Sequence, residues 1–112
     1  MGQIATRLNG RTELFTVEDC IPKSSLEGNF ENQIVVISPN HVKNVWFEQY
    51  HKPEFQLFLA KGGFGCDPDK MGTTVYGRVL EDGEVCRFER GQISGILKPE
   101  LVEEYGLAEF MK

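Results

Sequence analysis

Apolar and polar positions alternate most clearly between residues 73 and 90. Thr73–Leu80 and Val85–Arg90 each read as a strand, and Glu81-Asp82-Gly83-Glu84 lies between them. An Asp-Gly pair between two alternating segments is the strongest short-range hairpin signal. With Asp82-Gly83 as a two-residue loop, Leu80 faces Val85, Val79 faces Cys86, and Gly77 faces Phe88. One face then carries Val75, Val79, Cys86 and Phe88 toward a core. The other carries Tyr76, Arg78, Arg87 and Glu89, with Leu80 and Val85 near the turn. A three-residue loop would instead set Arg78 against Cys86 and bury less. The two-residue register is preferred because a one-residue slip inverts every side chain. It opposes Arg78 and Arg87 directly. Either a carboxylate such as Glu89 screens them on a wet face, or they form a small anion- or partner-binding basic spot.

The remaining pattern is shorter. Ile34-Val35-Val36-Ile37 is a continuous β-branched run, the mark of a strand buried on both faces. Phe55–Lys61 reads as a strand with Phe55, Leu57 and Leu59 on one face and Phe58 and Ala60 on the other. Val42, Val45, Trp46 and Tyr50 fall at helical spacing, which predicts a short amphipathic helix near 41–51, closed by Pro53. Ile93–Leu97 reads as a short strand. Pro99 opens a helix over 99–105. Leu14–Val17 reads as a short strand broken by Glu18–Pro22. Lys23–Asn32 reads as loop, with a turn at Gly28-Asn29. Strands in the middle, with short helices at a flank and the end, predict an α+β domain over 1–112. Its antiparallel sheet is either open or a partly open barrel.

Charge narrows the function classes. Twelve basic against seventeen acidic residues leave a net charge of −5, which argues against direct nucleic-acid binding. Such a balance suits ordinary solubility, and equally a protein that docks on a basic surface. Cys20, Cys66 and Cys86 show no paired spacing, so no disulfide framework or zinc site is expected. No run has the length of a membrane span or a signal peptide. A cytoplasmic location and no cofactor follow as expectations.

The candidate chemistry lies around residues 62–72, Gly-Gly-Phe-Gly-Cys-Asp-Pro-Asp-Lys-Met-Gly. Glycines at 62, 63, 65 and 72 allow backbone amides to turn inward and cradle a phosphate. However, a strand follows rather than the helix that nucleotide fingerprints need, so tight turns are the favoured reading. Asp67 and Asp69 flank Pro68; an Asp-Pro turn explains them better than a metal site, which needs more oxygen ligands. Cys66 with His41 or His51 would make a nucleophile and base only if they met in space. A buried cysteine and structural histidines are the commoner outcome. Trp46, Phe47 and Tyr50, followed by Phe55 and Phe58, are either core or an aromatic hot spot.

Residues 53–97 also carry a resemblance. Pro53-Glu54-Phe55-Gln56-Leu57-Phe58, Gly62-Gly63-Phe64-Gly65-Cys66, Gly72, Val75-Tyr76-Gly77, Asp82-Gly83-Glu84, Arg90 and Gly95 resemble a pattern in small, largely uncharacterised proteins. Those proteins come from phages, plasmids and conjugative elements of Gram-positive and gut bacteria. The resemblance implies no catalytic residues. It implies a mobile-element setting, in which short acidic proteins block host defence by binding a nuclease. The expected function is therefore a non-enzymatic inhibitor of the anti-CRISPR or antirestriction type. It would bind the basic surface of a protein partner, such as a host-defence nuclease, through Asp67, Asp69, Glu81, Asp82 and Glu84. The competing readings are a small enzyme or nucleotide-binding domain built on loop 62–72, and a structural accessory domain.

Overall fold

The computed structural model describes residues 3–22, 30–67 and 71–111. The strands β1 (Cys20–Pro22), β2 (Ile34–Ile37), β3 (Leu57–Gly62), β4 (Thr74–Val79), β5 (Val85–Glu89) and β6 (Ile93–Leu97) form one antiparallel sheet. Their order is β1-β6-β2-β3-β4-β5. The sheet is not closed, with β1 and β5 at its edges. Among the described residues, three short α-helices, α1 (Gln3–Arg7), α2 (Pro39–Val45) and α3 (Pro99–Glu104), complete an α+β fold.

Both faces of the central strands are buried, as the β-branched run at 34–37 predicts. Val35 and Ile37 enter a core with Phe58, Val75, Val79 and Phe88, beneath α2. Ile34 and Val36 enter a second core with Leu57, Leu59, Phe15 and Leu97, beneath α1 and α3. Phe55 departs from the expected face. It belongs to a 3-10 turn over Pro53–Gln56 and packs on the α2 side with Phe58.

The chain before β2 also differs from expectation. Leu14–Val17 is not a strand. Gln56, wholly buried, accepts from the Phe15 N–H (2.6 Å) and donates to Phe15 O (3.0 Å) and Ile37 O (2.9 Å). A side-chain amide thus supplies the partners that a ladder would have supplied. The strand comes later, at Cys20–Pro22, paired with β6. The turn expected at Gly28-Asn29 lies outside the described residues.

The hairpin faces the predicted way in a different register. Val75, Val79 and Phe88 do point into the α2-side core. But Gly77 opposes Cys86, Val75 opposes Phe88, and Arg78 opposes Val85. The shift is two residues, so the faces are preserved, and Arg87 now lies across from Tyr76 rather than Arg78. The cause is Leu80. Its N–H donates to Leu57 O (2.9 Å) and its side chain is buried with Leu57 and Leu59. Because β3 holds Leu80, the loop widens to Leu80–Gly83. Val79 N–H closes it on Glu84 O (2.9 Å), with Gly83 at φ 71°. Asp82 Oδ1 then accepts from the Glu84 N–H (3.0 Å).

The predicted helix near 41–51 is shorter. It ends at Val45, and Trp46 takes an extended conformation (φ −93°, ψ 153°) before a 3-10 turn at Glu48–Tyr50. The helix predicted at 99–105 is present as Pro99–Glu104, with Gly106 at φ 63° just beyond its end.

Candidate functional site

Two clefts flank the hairpin at opposite ends. The first, of about 440 Å³, lies at the glycine loop beside the start of β4 and includes Glu31, Cys66, Asp67 and Tyr76 in its lining. The second, of about 550 Å³, lies between the hairpin tip and the segment after α2.

At the first cleft the glycines serve packing. A β-carbon on Gly63 would overlap the Thr74 carbonyl oxygen, and one on Gly65 the Thr73 carbonyl oxygen. One on Gly62 would come 2.9 Å from the Tyr76 hydroxyl. Gly63 and Gly72 also hold φ of 104° and 129°, which favours glycine at each. The loop is pinned by Arg90, whose guanidinium donates to Gly65 O (2.6 Å) and lies over the Phe30 ring (4.3 Å). Gly63-Phe64-Gly65-Cys66 closes as a 3-10 turn through Cys66 N–H to Gly63 O (3.1 Å). This is the tight-turn reading, and residues 64–66 open no long helix toward a ligand.

Cys66 does not share a cleft with either histidine. Cys66 is buried and its thiol donates to Gly62 O (3.2 Å). Burial pushes that thiol up to about 11, the Glu31 carboxylate adding to the effect and Arg90 opposing it. Burial, with Asp19, likewise pushes Cys20 up to about 12 against the pull of Lys98. His41 lines the other cleft, edge-on to Phe88 (5.5 Å between centroids), and burial lowers its pKa. His51 is hydrogen-bonded through Nε2 to Trp46 O (2.6 Å). Among the described residues, no group of three or more His, Cys, Asp or Glu gathers as a metal site. No described helix is long and apolar enough to cross a membrane.

The five acidic candidates separate. Asp82 and Glu84 are exposed and line the second cleft. Glu81, expected on the surface beside them, is 5% exposed. Its Oε2 accepts from the N–H groups of Ile4 (3.0 Å) and Ala5 (2.8 Å), the free amides of the first turn of α1. A carboxylate at a helix start satisfies those donors and the dipole together, so Glu81 ties α1 to the hairpin. Asp67 is half-buried at the glycine loop, at the other end of β4 from the tip. Six residues of strand place the ends of β4 about 17–20 Å apart. Asp67 therefore does not join Asp82 and Glu84 in one patch. Asp69 lies outside the described residues.

The second cleft gathers what the sequence scattered. Trp46 meets Tyr50 (6.4 Å), Phe55 (6.4 Å) and Phe88 (6.1 Å), and Tyr50 meets Phe55 edge-on (5.0 Å). Trp46 and Phe55 pack against the core, whereas Phe47 is 75% exposed and Tyr50 36%. The aromatic cluster is thus part core, part surface. Asp82 and Glu84 stand at its rim, and both add to the burial that raises the Cys86 thiol inside the cleft. The adjacency of tip and aromatics depends on the break at Trp46, for which the helical spacing gave no signal.

Comparison of the chain with known protein families, curated proteins and solved structures finds no match.

Proposed function

We propose that the chain is a non-enzymatic protein-binding domain whose partner surface is the cleft between the hairpin tip and residues 46–50. The observation that carries this reading is the exposure of Phe47 and Tyr50 beside Asp82 and Glu84. Exposed aromatics over a packed base, with charge at the rim, are the usual anatomy of a binding hot spot. Two acidic groups at the rim select a basic partner surface and speed encounter with it. The mobile-element pattern in the sequence gives that partner a concrete form, a host-defence nuclease with a cationic cleft. Cys66 and His41 line different clefts. Cys86 shares the second cleft with His41, but its thiol pKa is raised by burial and by Glu84 and Asp82, which disfavours the thiolate and supports the binding reading.

The test places a photo-crosslinking phenylalanine analogue at Phe47 and, separately, at Phe64 on the glycine loop. Expected is a specific protein adduct from position 47 in a bacterial host, lost in the double variant Asp82→Lys, Glu84→Lys. Adducts from position 64 alone, or adducts at 47 that ignore the charge reversal, overturn the assignment.

A further inference from the structure

We propose that the cleft receives its partner as an extended strand added to β5, a mode of binding that rests on the protein-binding reading above. The first observation is the open edge. In an antiparallel pair, residues alternate between those bonded to the neighbouring strand and those whose N–H and C=O turn away. The bonds from Val79 N–H to Glu84 O and from Arg90 N–H to Thr73 O fix that alternation along the hairpin. Val85 and Arg87 are therefore the residues whose main-chain groups face outward from β5, and both side chains are exposed. Glu89, next in the same series, has its N–H taken by Gln92 Oε1 (2.9 Å). The edge is capped at one end and open over Val85–Arg87.

The second observation is that the cleft opens along this same edge. Cys86, Arg87 and Phe88 of β5 line it together with the aromatic residues after α2. A strand laid beside β5 sends alternate side chains to opposite faces of the sheet. One set enters the aromatic cleft, and the other runs beside Val85 and Arg87. Main-chain bonds supply affinity and the cleft supplies selection, as in strand addition generally.

The third observation is charge. Asp82 and Glu84 outnumber Arg87 among the ionised lining groups, so the rim favours a cation. The occupant is thus an extended peptide segment of a protein partner, with an aromatic or branched apolar residue for the cleft and a Lys or Arg next to it for the tip carboxylates.

The chain has a single tryptophan, Trp46, which stands in the cleft and reports on it. The probes are a set of capped hexapeptides alternating Phe, Val or Leu with Lys, the same peptides N-methylated at alternate residues, and versions with Glu for Lys. The readouts are Trp46 emission and amide exchange at Val85 and Arg87. Expected are a Trp46 shift, slowed exchange at both amides, and affinity at least ~10-fold weaker for the N-methylated and Glu peptides. Val85→Pro removes an outward N–H that the ladder does not use, which an edge strand tolerates, and should weaken binding several-fold with the fold intact. A Trp46 shift with no amide protection, and no cost of N-methylation, overturns strand addition while leaving the protein-binding reading in place. No response of Trp46, Val85 or Arg87 to millimolar peptide overturns both. Protection of Val85 and Arg87 without peptide, with a doubled mass in solution, assigns the edge to a second copy and also overturns the proposal.

Discussion

The two ends of the hairpin were both candidates for function, and they use similar residue types to different ends. At the glycine loop, Gly63 and Gly65 bring backbone against the Thr73 and Thr74 carbonyls, and Arg90 locks the loop from beneath. Its unusual backbone is consumed by packing. At the tip, Gly83 meets nothing within 4 Å, and Asp82 and Glu84 project into solvent beside exposed Phe47. At Gly63 and Gly65 the space a side chain would take is filled by the Thr74 and Thr73 carbonyls, whereas at Gly83 it is open.

That contrast can be broken most severely at the base of the tip cleft. Phe88 is 5% exposed and stacks edge-on with Phe58 (4.9 Å). Phe88→Ala should cost about 3–5 kcal/mol in denaturant melts. A loss below about 1 kcal/mol would mean that the cleft has no rigid base. Gly65→Ala should cost about 2–3 kcal/mol, because its β-carbon meets backbone carbonyl rather than a movable side chain. Near-neutral stability there would reopen the loop as a ligand cradle.

Glu81→Ala should cost about 1–3 kcal/mol by leaving the Ile4 and Ala5 amides unpaired in a buried place. Its neighbours Asp82 and Glu84, reversed to Lys, should each change stability by less than about 0.5 kcal/mol. Equal costs at all three positions would erase the distinction between structural and surface carboxylates. The cysteines add a pH effect. Cys66 is pushed up to about 11 in the fold, so the unfolded chain loses that proton first. The Cys66 contribution is complete below the ordinary thiol value of 9.0 and is lost as pH rises through about 11. Alkaline melts should therefore show a gradual decline that Cys66→Ala reduces. The smallest effect is at Phe47, where replacement by Ala should leave the melting curve within about 0.5 kcal/mol of wild type. It should abolish peptide binding at the cleft.

The sequence made the sheet strands legible wherever apolar residues run unbroken and β-branched or repeat with the period of a strand. Ile34–Ile37 and the inward set Val75, Val79 and Phe88 follow directly from pattern. The hairpin register did not, because the local Asp-Gly signal was overridden by the pairing of Leu80 with β3, more than twenty residues away in the chain. Glu81 looked like a tip carboxylate for the same reason; its partners are 76 and 77 residues distant. Gln56 was likewise invisible as an organiser, since nothing in its own neighbourhood shows that Phe15 needs it. At the candidate site, the acidic tip and the aromatic cluster were each legible. Their meeting was not, because it depends on where α2 stops.

The order β1-β6-β2 puts the last strand to be synthesised between the first two. Until Ile93–Leu97 emerges, β1 has no neighbour and β2 has a bare edge toward it. The pairings that finish the sheet span most of the chain, and such pairings are slow to form because a long loop must be closed first. Completion of the sheet thus waits for Ile93–Leu97, the strand that joins β1 to β2. Until then the chain carries the β-branched strand Ile34–Ile37 with one edge unpaired, and that edge is where chaperones would engage it or incomplete chains would stick together.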